Sequence, residues 1–179
     1  PLGGFDFLLQ QNEAILKKHQ VIFEPGVNED LAATAVLGSQ LANMMPNPKY
    51  DGVLGVWYGK GPGVDRSGDV MRHANMAGTS CHGGVVMAMG DDHTGESSTV
   101  LHQSEFAMVD AHMPVVSPAG VQEVLDFGLY GYALSRFAGV WVGLKTMKDT
   151  IEATAVVNGD PHRLDFIHPK LDLPEDGLN

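Results

Sequence analysis

Gly52-Val53-Leu54-Gly55-Val56-Trp57-Tyr58-Gly59-Lys60-Gly61-Pro62-Gly63-Val64-Asp65-Arg66 is the stretch on which the fold turns. Residues 52–58 carry apolar side chains at successive positions, so an extended chain there is apolar on both faces. Such a run reads as a strand of a buried parallel sheet rather than of an antiparallel sheet with one wet face. A glycine-rich turn at residues 59–63 follows, and then a helical segment from about Asp65 to Ala77.

The same unit recurs on either side. Residues 84–89, Gly-Val-Val-Met-Ala-Met, form a second doubly apolar strand and lead into a polar loop, Gly90 to Ser98. Pro114-Val115-Val116 is a short third strand, after which Ser117 is expected to cap a helix with Pro118 at its first position. The apolar stripe of that helix runs through Val121, Val124, Leu125, Gly128, Leu129 and Tyr132, and residues 140–144 form a further strand. Upstream, Phe5, Leu8, Leu9, Ile15 and Leu16 share one helical stripe over residues 5–19, and Val21-Ile22-Phe23 is a brief strand or turn entry. Pro25-Gly26 ends it, and Asn28 is placed to cap a helix reaching about Met45. This alternation predicts an α/β fold: a doubly wound, mostly parallel sheet with helices on both faces. Residues 1–157 are read as that module. Residues 158–179, with Pro161, Pro169 and Pro174 and no apolar period, are read as an extended tail or linker.

Composition narrows the function classes. The chain has 179 residues, 44% of them hydrophobic, which suffices for a real core in one or two domains. A net charge of −11 argues against nucleic acid or an anionic membrane surface as partner. No apolar run approaches the roughly 20 residues of a membrane span, and a cytoplasmic protein is expected. The single cysteine, Cys81, cannot by itself hold an iron–sulfur cluster or a thiolate zinc site. Glycine, 22 of 179 residues, stands at about 12% against a usual ~7%, which points to sites built from backbone at turns. The chain opens Pro1-Leu2-Gly3-Gly4 without an initiating methionine and is expected to be a fragment or a processed product.

Several residues are candidates for chemistry. The glycine turn is no Walker loop, and Val64 occupies the third glycine's place of G-x-G-x-x-G, yet it leaves backbone exposed at a strand end. It reads equally as a tight strand-to-helix turn. Glu29-Asp30 lies in the first turn of a predicted helix, where carboxylates favour the helix dipole. The alternative for Glu29 is a carboxyl group in an apolar pocket that shares a proton with a ligand nitrogen. Asp91-Asp92-His93 with Glu96 matches no metal-binding spacing, so no metal is assigned and a solvated loop is expected. His73, His82, His93, His102 and His112 are spread too evenly to form a motif, and Cys81-His82 is not read as a nucleophile–base pair.

Three blocks carry a family resemblance: residues 25–35 (Pro-Gly-Val-Asn-Glu-Asp-Leu-Ala-Ala-Thr-Ala), residues 58–66 (Tyr-Gly-Lys-Gly-Pro-Gly-Val-Asp-Arg), and Gly90-Asp91-Asp92-His93 with Ser97-Ser98. From Pro1 to about Val157 the chain resembles 2-oxoacid:ferredoxin oxidoreductases, most of all the bacterial fused indolepyruvate form. The resemblance implies the pyrimidine-binding module of a thiamine diphosphate enzyme, with the family's cofactor glutamate at Glu29. That carboxyl group would bond a nitrogen of the cofactor's pyrimidine and favour the tautomer in which the ring's own nitrogen serves as base. By the same resemblance Gly61, Pro62 and Gly63 would lie against the cofactor. Pyruvate-specific relatives place a substrate-holding arginine where this chain has His82-Gly83-Gly84, so His82 marks a substrate segment suited to a larger, aromatic 2-oxoacid.

The implied reaction is oxidative decarboxylation to acyl-coenzyme A with electrons passed to ferredoxin. Mg2+ and 4Fe-4S clusters would be held outside this chain, by a diphosphate-binding module and an iron–sulfur domain, in what is expected to be a homo-oligomer. Alone, the chain is expected to be inactive. Two further readings stand beside this one: a non-catalytic α/β binding or interaction module, and a different thiamine enzyme, such as a transketolase-like one, sharing only the module.

Overall fold

A computed structural model describes residues 2–97 and 99–172. Its centre is a sheet of four strands, all parallel, in the order β1-β2-β4-β3: β1 is Leu54–Lys60, β2 Gly84–Asp91, β3 Val115–Val116 and β4 Val142–Met147. β2 is buried along its whole length, as its apolar run requires. β1, the edge strand, is not: Leu54 and Val56 are exposed on one face.

The winding explains the layers. From β1 to β2 and on to β3 the chain advances in one direction, and from β3 to β4 it steps back between strands already laid. Parallel crossovers are right-handed, so a reversal of direction moves the connecting helix to the opposite face. Accordingly α3 (Glu29–Leu41), α4 (Gly61–Arg66), α5 (Gly68–Ala77) and α6 (Glu105–Asp110) lie on the face of Trp57, Val85, Met87 and Met89. α7 (Val121–Ala138) lies on the other, its Gly131 against Val86 and Val142. The main core is on the first face, where Met71, Met108, Met113 and Trp141 join the strand residues.

Several expectations are corrected. Residues 5–19 form two short helices, α1 (Gly3–Gln11) and α2 (Glu13–Lys18), broken at Asn12, and Val21-Ile22-Phe23 makes no strand. With Leu9, Leu16 and Tyr50 those three residues line an open groove of about 690 Å³. The helix from 65 to 77 is two helices that meet at Ser67. α7 begins at Val121 rather than at Pro118: Pro118 is fully buried, Gly120 is extended, and the Glu123 carboxylate reaches back to accept from the Ala119 N–H at 2.7 Å. Its buried positions are Gly131 and Ser135, while Leu125 and Leu129 of the expected stripe are exposed. α6 and α8 (Lys148–Ile151) were not anticipated, each being too short to show a period. Residues 158–172 run along α7, with Asn158 bonded to Gln122, Arg163 ion-paired with Asp126 and Phe166 against Tyr130. Pro1, Ser98 and Pro174 lie outside the described residues.

Candidate functional site

In parallel α/β sheets ligands meet the loops at the carboxyl ends of strands. At that edge β1 ends at Lys60, β2 at Asp91 and β4 at Met147, and three sequence candidates converge there. Gly61, Pro62 and Gly63 are not a loop but the first turn of α4, which starts without a break where β1 stops. Proline suits that turn because its missing N–H has no helical partner to lose.

Glu29 opens α3. Asn28 caps that helix by accepting from the Leu31 N–H at 2.8 Å, so the cap is supplied without Glu29. The Trp57 indole N–H donates to the Glu29 carbonyl at 3.0 Å and ties the helix start to the middle of β1. The Glu29 side chain lies on Gly63: a Cβ at position 63 would stand 2.6 Å from Glu29 Cγ. Glycine is therefore required at 63 for close approach. The carboxylate itself is exposed in this chain.

The loop after β2 is held to this edge by charge. Asp91 is fully buried and accepts from the Ser104 N–H at 2.9 Å and the Ser104 hydroxyl at 2.5 Å. Asp92 accepts from the N–H groups of Glu96 at 3.0 Å and Ser97 at 2.9 Å, and the Lys60 ammonium donates to the Ser97 carbonyl at 2.6 Å. The Ser97 backbone N–H, then its hydroxyl, the Glu96 N–H and the Lys60 charge hold the Asp92 carboxyl below its ordinary range. Lys148 pairs with Glu96, lowering that carboxyl too, and Lys145 of β4 pairs with Glu105. Asp91 and Asp92 are thus not the solvated pair that was expected: both are buried, and their oxygens organise the loop.

Doubly wound sheets open a crevice where neighbouring strands send their connections to opposite faces. Here that point lies between β2 and β4, and the chain's own residues 92–97 bridge it, from Lys60 on one side to Lys148 on the other. Beside β1, Glu29 at the start of α3 is exposed next to the first turn of α4. On the other face of β1, the Tyr58 hydroxyl donates to Asp6 at 2.6 Å, and burial followed by the Asp6 carboxylate pushes its pKa well above the phenol range.

His82 is not brought to this site. It precedes β2, at the amino edge of the sheet, where Arg136 donates to its carbonyl at 3.0 Å. A strand the length of β2, roughly 25 Å, separates it from the carboxyl edge. Cys81 is exposed at that same far edge. The residue that sequence reading missed is His102, whose ring packs on Gly61 and whose Nε2 lies 2.9 Å from Asp65 Oδ2. An isolated histidine 41 positions from the glycine it touches leaves no spacing signal. The chain matches no protein-family model and no curated protein.

Proposed function

We propose that this chain is the pyrimidine-holding module of a thiamine diphosphate-dependent 2-oxoacid:ferredoxin oxidoreductase. The observation that carries the reading is the placement of Glu29: a carboxyl group at the carboxyl edge of a parallel sheet, free of capping duty and backed by a glycine whose missing side chain it needs. These residues fit the group they would hold. Glu29 would share a proton with the pyrimidine ring, and Gly61, Pro62 and Gly63 would form the wall beside it. When bound, the cofactor supplies the electron sink for loss of carbon dioxide from the 2-oxoacid. This chain's part is to hold the proton at the Glu29 carboxyl group, orient the ring and keep water from one side of it.

Glu29 faces solvent here, so the reading requires a covering module. That module would bring the diphosphate site with its Mg2+, and an iron–sulfur domain would hold the 4Fe-4S clusters for electron transfer to ferredoxin. The exposed apolar residues Leu54, Val56, Leu125 and Leu129 are surface available to those domains or to a second copy in a homo-oligomer. Coenzyme A and an arylpyruvate such as indolepyruvate are the proposed co-substrates, and the cytoplasm the compartment. His82 and its small neighbours stand at the opposite edge of the sheet, so the choice of an arylpyruvate is supported by the resemblance rather than by this geometry. A second reading, a non-catalytic α/β binding module, is favoured by the exposure of Glu29, whose charge at a helix start needs no cofactor to explain it.

Calorimetric titration with thiamine diphosphate and magnesium separates the two. The proposal predicts weak or no binding by this chain alone and tight binding once it is joined to the rest of its protein. Tight binding by the chain alone overturns the half-site view, and no binding by the complete protein overturns the enzyme.

A further inference from the structure

His102 is the one histidine packed into the carboxyl edge. Its side chain is 14% exposed, its backbone N–H donates to the Asp92 carbonyl at 3.0 Å, and its Nε2 faces the exposed Asp65 carboxylate at 2.9 Å. A carboxylate only accepts, so Nε2 is the donor to Asp65. Nδ1 is buried and has no partner among the described residues. What it does have is Gly61: a Cβ there would fall 1.8 Å from Nδ1 and 2.1 Å from Cγ of the ring. The imidazole thus occupies the space of the missing side chain at 61, as the stem of Glu29 does at 63, two residues along the same helical turn.

We propose that His102 is a positioning residue: wedged between Asp65 and Gly61, it fixes the first turn of α4 at the height where Gly63 supports the Glu29 side chain. Residues 99–104, the segment that carries His102, would then set the attitude of the candidate carboxyl group without touching it. The contact rests on geometry alone; only its consequence for cofactor binding rests on the function proposed above.

The Trp57 indole N–H, bonded to the Glu29 carbonyl, reports on the start of α3, and the Trp141 indole, buried at the start of β4 without a partner among the described residues, serves as control. Hydrogen exchange of both is followed by NMR in the full chain, with no cofactor present. His102→Ala is expected to speed exchange at Trp57 about tenfold while leaving Trp141 unchanged. His102→Gln, which keeps an N–H for Asp65, restores most of the protection, and Asp65→Ala moves Trp57 in the same direction as His102→Ala. Gly61→Ala disturbs Trp57 strongly when His102 is present and much less when combined with His102→Ala. An unchanged Trp57, equal acceleration of both indoles, or a Gly61→Ala effect that ignores His102 would overturn the proposal. Because no cofactor enters the readout, this result and the calorimetric one can fail independently.

Discussion

A single methyl group at position 63 is the smallest probe of how Glu29 is held. Gly63→Ala puts a Cβ 2.6 Å from Glu29 Cγ, with Glu29 Cβ at 3.2 Å behind it, so the carboxylate stem must move. The expected cost is about 1–3 kcal/mol, read as a lower urea midpoint with an unchanged slope. Asp92 makes a pH prediction. Its folded pKa is depressed, so its stabilisation is complete above the unfolded value, about 3.9, and is lost as pH falls from there through the folded pKa. Amide protection of Glu96 and Ser97 should hold from pH 8 to pH 5, collapse below about pH 4, and be low at every pH in Asp92→Ala. Protection that persists in the alanine variant would contradict the role given to the carboxylate. At this scale the sequence was informative where function is local to a turn. The helix start at Glu29 was legible because Asn28 and the apolar run after it mark an N-cap, whereas the role given to Glu29 came from the family resemblance. His102 was not, because its partners Gly61 and Asp65 meet it only through the fold.

Among the elements, the parallel strands could be read because their apolar runs admit no wet face, and β2 obeys fully. β1 departs from the pattern at Leu54 and Val56 because it is an edge strand, a property that periodicity does not carry. The glycine segment was misread as a turn although Pro62 near a helix start was a visible signal; the three glycines outweighed it. For α7, helix period alone could not show which face is buried, since that depends on where Gly131 meets β2 and β4. The polar member of its buried face gives an element-scale test. The Ser135 hydroxyl accepts from the Val85 N–H at 2.8 Å and donates to the Val140 carbonyl at 2.6 Å, joining α7 to the start of β2 and to the approach to β4. Ser135→Ala strands a buried N–H and a buried carbonyl, and should lower stability by about 1–3 kcal/mol in chemical denaturation. A loss below about 0.5 kcal/mol would mean that water or a backbone shift replaces both bonds.

At the scale of the whole molecule, the carboxyl edge of the sheet gathers Glu29, the first turn of α4 and the loop after β2. The chain's own residues 92–97 bridge the point where the winding reverses, tied to Lys60 on one side and to Lys148 on the other. No helix among the described residues is long and apolar enough to cross a membrane. The enzyme reading requires the rest of a protein around this module, and the measurement that tests it most directly is turnover of an arylpyruvate by that complete protein carrying Glu29→Gln, at saturating thiamine diphosphate and magnesium. The account predicts a fall of about a hundredfold or more, the scale of a lost proton-sharing group, with the melting temperature within a few degrees of the parent. Turnover within about twofold of the parent, accompanied at most by the loss of about 1 kcal/mol expected of a helix-start charge, would contradict it.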